Sequence, residues 1–248
     1  MSHSRASGRP LDNGGRPEGR PLQAIVFDFD GVIANSEPLH LQAFQQALAD
    51  EGIELSPDDY YTRYLGFDDV GMFQALARDR QLPMSDQQVT ALVARKGAKL
   101  QAMLNAGSVL FPGAAAFVRD AAAAVPIAIA SGALRHEIDE IIEAAGLASL
   151  FAVVVASGDT PASKPSPAPY LLAFERLRLA TGRDLDARRC VAIEDSRWGL
   201  ESARGAGLRC VGVTNSYPPH ELGEVELVVS GLDALTLEQL DRLCSPDA

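Results

Sequence analysis

The sequence predicts an α/β fold: one doubly wound, parallel sheet with a helical cap inserted after its first strand. Three observations carry this. Short apolar runs alternate with amphipathic stretches from residue 110 to the C-terminus, the pattern of βαβ units. One more apolar run, Ala24 to Phe27, stands alone near the start and reads as a strand buried on both faces. Between the two, from about Leu39 to Gly107, only helical periodicity is visible. The expected organisation is a tail over 1–21, a core made of 22–38 and 109–248, and a cap over 39–108.

Composition narrows the function classes. At 248 residues with 47% hydrophobic content, the chain can bury a good core as a soluble protein. No apolar run approaches the roughly 20 residues of a membrane helix. A net charge of −11 argues against general nucleic-acid or anionic-membrane binding. It leaves room for an anionic substrate, because a local cation can reverse the sign inside a site. Cys190, Cys210 and Cys244 lack metal-ligand spacing and read as packed, reduced residues of a cytoplasmic protein. The tail is rich in Gly, Pro, Ser and Arg, lacks the apolar core of a secretory signal, and reads as disordered.

In the expected cap, Leu41, Phe44, Ala47 and Leu48 share a helix face. Ser56-Pro57-Asp58-Asp59 is a helix start, with a Ser cap, Pro in the first turn and early acids. Val70, Phe73, Leu76 and Ala77 mark another helix. Ser85-Asp86-Gln87-Gln88 resembles a capping box and opens a helix to about Asn105. Arg95, Lys96 and Lys99 on that helix read mainly as a solvated face. In the core, strands are expected at Ile127–Ala130, Phe151–Val155, Val191–Ile193, Cys210–Val213 and Leu227–Val229, with helices between them and one closing the chain.

The chemistry gathers at strand ends. Asp28 and Asp30 follow the first strand with one residue between them, so they would share a face, and Gly31 then lets the chain turn. Ser131-Gly132-Ala133 follows Ile127–Ala130. Lys164-Pro165 lies in the loop after Phe151–Val155. Glu194-Asp195-Ser196 follows Val191–Ile193. A parallel sheet places all its carboxyl ends on one edge, where ligands bind. Taken singly, each piece is an ordinary turn or helix start. Together they fit phosphoryl transfer. Asp28 and Asp195, with a backbone carbonyl near Asp30, suit Mg²⁺. Ser131 with Gly132 and Ala133 suits phosphate oxygens. Lys164 suits the transferring charge, Asp28 the nucleophile and Asp30 the acid/base.

In this order the segments resemble the four motifs of the haloacid dehalogenase superfamily. Phe27 to Ile33, with Ser36 and His40, is similar to the first motif. Ser131-Gly132 is similar to the second, Lys164-Pro165-Ser166-Pro167 with Tyr170 to the third, and Ile193-Glu194-Asp195-Ser196 to the fourth. Ser36, Pro38, His40 and the helical insert resemble the β-phosphoglucomutase and CbbY-like branch. The resemblance implies a Rossmann-like core with a helical cap. It implies Asp28 as nucleophile, Asp30 as acid/base, and Mg²⁺ on Asp28, Asp30, Asp195 and Glu194. Ser36, His40 and Gly66 join the expected substrate contacts, His40 as an aid to Asp30.

Departures from that pattern shape the expected activity. Asp30 is present, which favours phosphate chemistry over carbon–halogen cleavage. β-Phosphoglucomutases carry basic residues in the cap loop that grips a second phosphate. Here that stretch is Tyr64-Leu65-Gly66-Phe67-Asp68-Asp69, apolar and acidic. The expected protein is a monomeric, Mg²⁺-dependent phosphatase of a small phosphorylated metabolite, acting through an aspartyl-phosphate. A phosphomutase and a receiver-like phospho-acceptor are the alternatives.

Overall fold

The computed structural model describes residues 21–64, 67, 69–104 and 109–245. Residues 1–20 of the expected tail and Gly66 lie outside the described residues. Six strands form one parallel sheet: β1 (Ala24–Phe27), β2 (Ile127–Ala130), β3 (Phe151–Val155), β4 (Cys190–Glu194), β5 (Arg209–Val213) and β6 (Leu227–Val229). Their order is β3-β2-β1-β4-β5-β6. The chain fills one side of β1 with β2 and β3, then crosses to the other side for β4, β5 and β6. The crevice of such a sheet opens where the order reverses, beside β1 and β4. Val26 lies opposite Ala128 on one side and Ala192 on the other.

Alternation along the strands divides the core into two layers. Ile25, Phe27, Ile127, Ile129, Val191 and Ile193 face one side of the sheet, and Ala24, Val26, Ala128, Ala130, Cys190 and Ala192 the other. The strands are therefore continuous apolar runs, as a sheet covered on both faces requires. Helices are α1 (Glu37–Ala49), α2 (Pro57–Asp59), α3 (Asp69–Asp79), α4 (Asp86–Leu104), α5 (Ala114–Ala124), α6 (Arg135–Ala144), α7 (Ala168–Thr181), α8 (Arg197–Gly205) and α9 (Leu237–Leu243). α5, α6 and α9 cover the first layer, and α7 and α8 the second. The three cysteines are free and buried, and burial pushes the Cys190 thiol up to about 12.

The inserted helices form a unit with its own apolar cluster. Phe44 of α1 packs against Tyr60 and Phe73, with ring centroids 5.8 Å and 5.2 Å away. Ser85 and Gln88 exchange the hydrogen bonds of a capping box at the start of α4. Two linkers join cap to core and run antiparallel: Asn35 N–H donates to Val109 O (2.7 Å), and Phe111 N–H to Ile33 O (3.0 Å). No helix among the described residues is long and apolar enough to cross a membrane.

One side chain differs from the sequence reading. Lys96 is fully buried rather than solvated. Its ammonium pairs with Asp69 at 2.8 Å, bonds His40 Nδ1 at 3.0 Å and sits over the Phe44 ring, so its charge is satisfied inside the cap. Trp198 is half exposed and meets the edge of Tyr217. Tyr64 is buried in the cap, whereas Phe67 is exposed.

Phe27 is fully buried in the first layer and meets Phe117 and Phe151 edge-on, at 6.2 Å and 6.3 Å. Phe27→Ala is expected to cost about 3–5 kcal/mol of stability, read as a lower urea midpoint at unchanged slope.

Candidate active site

β1 ends where its carboxylates begin. Asp28 N–H donates to Ile193 O (2.9 Å), so the backbone just past β1 stays registered to β4. Asp28 is buried at the crevice between them. Lys164 reaches in from the β3–α7 loop and places its ammonium 2.7 Å from Asp28 Oδ1 and 2.6 Å from Glu194 Oε1. Burial pulls Lys164 down, but Asp28 and Glu194 outweigh it and hold the ammonium above its ordinary value. Burial, followed by repulsion from Glu194, pushes Asp28 well up.

Glu194 is held on every side. Its Oε1 accepts from Lys164 and from Tyr170 O–H (3.2 Å). Its Oε2 accepts from the N–H groups of Asp195 and Ser196 and from Ser196 Oγ, each at 3.0 Å. Gly199, in the first turn of α8, makes room for it: a Cβ there would lie 1.6 Å from Glu194 Oε1.

Asp195 is fixed by a part the sequence reading missed. After β5 the chain continues Thr214-Asn215-Ser216. Ser216 Oγ donates to Asp195 Oδ2, and Asn215 Nδ2 donates to Gly31 O (2.7 Å). Gly31 has φ +78°, and a Cβ on it would lie 1.8 Å from Asp195 Oδ2. The turn after Asp30 therefore needs glycine for its backbone and for its closeness to Asp195. The only available signal was position, since Asn215 and Ser216 follow a strand end on the same edge.

Asp30 carries a different environment. Ser36 Oγ donates to its Oδ1, leaving α1 without a side-chain cap bond although Ser36 sits at its N-cap. Burial pushes Asp30 up to about 6, against the Ser36 bond. Asp28, Glu194 and Asp195 offer carboxylate oxygens within 4.8 Å of one another, and Asp30 stands outside that group. Three buried carboxylates share the single Lys164 ammonium, an excess of negative charge on hard oxygen donors that fits a divalent cation.

Ser131 is buried in the β2–α6 turn, and its Oγ accepts from Ala133 N–H at 3.0 Å. Ser131, Gly132, Ala133, Asp30 and Lys164 line one side of a cavity of about 480 Å³. The cap supplies the other side, with Glu37, His40, Tyr60, Phe67 and Asp69. The His40 ring nitrogens face Lys96 and Glu137, at 3.0 Å and 3.9 Å, rather than Asp30. Burial and the Lys96 ammonium push His40 down to about 3, so it is neutral. A larger groove, about 670 Å³, runs between Gln45, Glu54 and Arg80 on the cap and contains none of the strand-end residues.

The family described as haloacid dehalogenase-like hydrolase matches residues 22–207. CbbY of Rhodobacter capsulatus is 33% identical over 206 residues, covering 79% of this chain and 87% of that protein. A phosphoglycolate phosphatase of Yersinia pseudotuberculosis is 28% identical over 203 residues, covering 80% of this chain and 83% of that one. A solved structure of a CbbY mutant from Rhodobacter sphaeroides, in complex with xylulose 1,5-bisphosphate, superposes with a TM-score of 0.75 at 27% identity. It covers 89% of this chain and 99% of the other. Strand-end carboxylates, the lysine between them and the inserted cap thus coincide with a match over most of the length, and the chain belongs to the haloacid dehalogenase-like hydrolases, in the branch that holds CbbY.

Proposed function

We propose that this hydrolase is a Mg²⁺-dependent phosphatase of a small phosphorylated metabolite, most simply a sugar phosphate, working through an aspartyl-phosphate. The observation that carries the reading is the meeting of β1, β2, β4 and the Lys164 loop around Asp28. The phosphatases and CbbY among its relatives support it.

In this reading the phosphate sits against Ser131 Oγ and the N–H groups of Gly132 and Ala133. Asp28 attacks phosphorus: its carboxylate oxygen forms a bond as the bond to the substrate oxygen breaks. Asp30 gives its proton to that leaving oxygen. In the second half Asp30 takes a proton from water, which attacks phosphorus and releases Asp28. A carboxyl titrating near 6 can serve both directions around neutral pH. Lys164 pulls against the burial and the Glu194 repulsion that raise Asp28, and offsets charge on the transferring group. Asp28, Asp195 and the Asp30 backbone carbonyl would hold Mg²⁺, with Glu194 beside them anchoring Lys164. When bound, the ion neutralises phosphate oxygens that would otherwise repel a carboxylate nucleophile. The cap closes over the cavity and excludes bulk water.

The test is phosphate release from sugar phosphates and p-nitrophenyl phosphate, with Mg²⁺ and with EDTA. Wild type should release phosphate only with the metal. Asp28→Asn should lose turnover by more than a thousandfold (about 4 kcal/mol) while melting cooperatively. Asp30→Asn should lose most turnover yet accumulate phosphoenzyme, seen as a mass gain of one phosphoryl group. Near-normal turnover in either variant defeats the mechanism.

Ser216 supplies a separate check on the cation. Ser216→Ala should weaken Mg²⁺ binding to the metal-free protein about tenfold or more by titration calorimetry, because a group orienting a ligand is lost. Ser216→Thr should recover most of it. Equal affinity in wild type and Ser216→Ala would remove Asp195 from the ligand set.

A further inference from the structure

The cavity has two unlike ends. At the core end Lys164 faces Asp28, and the Ser131 turn offers N–H groups. At the cap end the wall is acidic, and its one nearby cation is already used. Lys96 is fully buried and bonds both Asp69 and His40. Lys164 is the sole lysine or arginine among the described residues lining the cavity, and it is held by Asp28 and Glu194.

Two carboxylates remain there without an ion partner. Glu37 stands at the start of α1 and accepts from Tyr60 O–H. Glu137 stands in the first turn of α6, on the core side, and caps Leu134 N–H at 3.4 Å. Burial raises both, and each is within electrostatic reach of Lys96. His40 between them is neutral, and its tautomer follows from its neighbour. An ammonium only donates, so Nδ1 accepts from Lys96 and the ring proton sits on Nε2, 3.9 Å from Glu137 Oε1. The wall therefore presents carboxylate oxygens and one neutral N–H, with no free positive charge.

We propose, resting on the phosphatase reading, that the substrate carries a single phosphate on an uncharged or cationic leaving group rich in hydroxyl or amine donors. Glu37 from the cap and Glu137 from the core select it. A hydroxyl or ammonium gains charge-assisted hydrogen bonds from these carboxylates. A second phosphate, or a carboxylate, meets like charge with no cation to offset it. A donor group bridging Glu37 and Glu137 also relieves the repulsion between them, so the same contact favours closure of the cap on the right substrate.

The experiment compares kcat/KM with Mg²⁺ for four compounds: a hexitol 6-phosphate, glucosamine 6-phosphate, fructose 1,6-bisphosphate and phosphoglycolate, with p-nitrophenyl phosphate as a plain monoester. The expected result is at least a hundredfold preference for the better of the first two over the bisphosphate and over phosphoglycolate. In Glu137→Gln, and separately in Glu37→Gln, that ratio should fall about tenfold. Gln keeps the shape of the side chain and one acceptor oxygen for Tyr60 O–H or Leu134 N–H, and each ratio is taken within one protein, so a partly unstable variant still reports. Equal or better turnover of the bisphosphate or phosphoglycolate overturns the proposal while leaving the phosphatase reading intact. So does a ratio that neither variant moves. No release from any compound, p-nitrophenyl phosphate included, overturns the phosphatase reading and this proposal with it.

Discussion

The Lys164 ammonium, held between Asp28 and Glu194, is the contact on which the site depends. Asp28, Glu194 and Asp195 lie buried at adjoining strand ends, where an isolated carboxylate would neutralise itself rather than stay charged. One lysine gives two short charge-assisted bonds to this cluster and offsets part of that cost. Its position is built from far away. Tyr170, on α7, donates to the same Glu194 oxygen, and its ring lies 5.2 Å from the ammonium. Ser202 of α8 donates to Ser166 O at 2.5 Å, and Gly205 lets α8 approach Pro167. The packing of α7 against α8 thus sets where the lysine stands, and the lysine joins Asp28 to Glu194 across the strand ends.

The parts of this arrangement readable in the sequence are those with a local period or a strand-end address. Apolar runs such as Ala24–Phe27 and Cys190–Glu194 are short and unbroken because both faces are covered. Polar residues placed just after such runs had to share one edge. That logic located Asp28, Asp30, Ser131, Lys164 and Asp195 without knowledge of any contact.

What escaped the sequence is set by pairs that no period announces. Lys96 lies three residues before Lys99 on an ordinary-looking helix, and nothing local separates a buried cation from a solvated one. Its burial depends on Asp69, 27 positions away, and on His40, 56 positions away. Ser216 and Asn215 matter only because β5 lies next to β4, so that their loop meets Asp195 and Gly31. Glu137 reads as a capping residue, which it is, and its second face toward His40 appears only once the cap is placed over α6.

Ser36 shows how one side chain can serve chemistry at the expense of local structure. A serine at an N-cap normally accepts from the first turn of its helix, a contribution of about 1 kcal/mol. Here its hydroxyl donates to Asp30 instead, and α1 starts without that cap bond. The loss is tolerable because α1 is held by the cap cluster, through Leu41, Phe44 and Leu48, rather than by its own end. The same choice ties the N-cap residue of α1 to the Asp30 carboxylate, one residue after Asn35, where the two linkers pair. The Asp30 bond therefore lies beside the linkers that join cap and core, where a rotation of the cap about them would displace it least. A hydroxyl farther along α1 would sweep a longer arc. In the proposed reaction, a bond placed there would let the Asp30 carboxyl keep one environment through both halves.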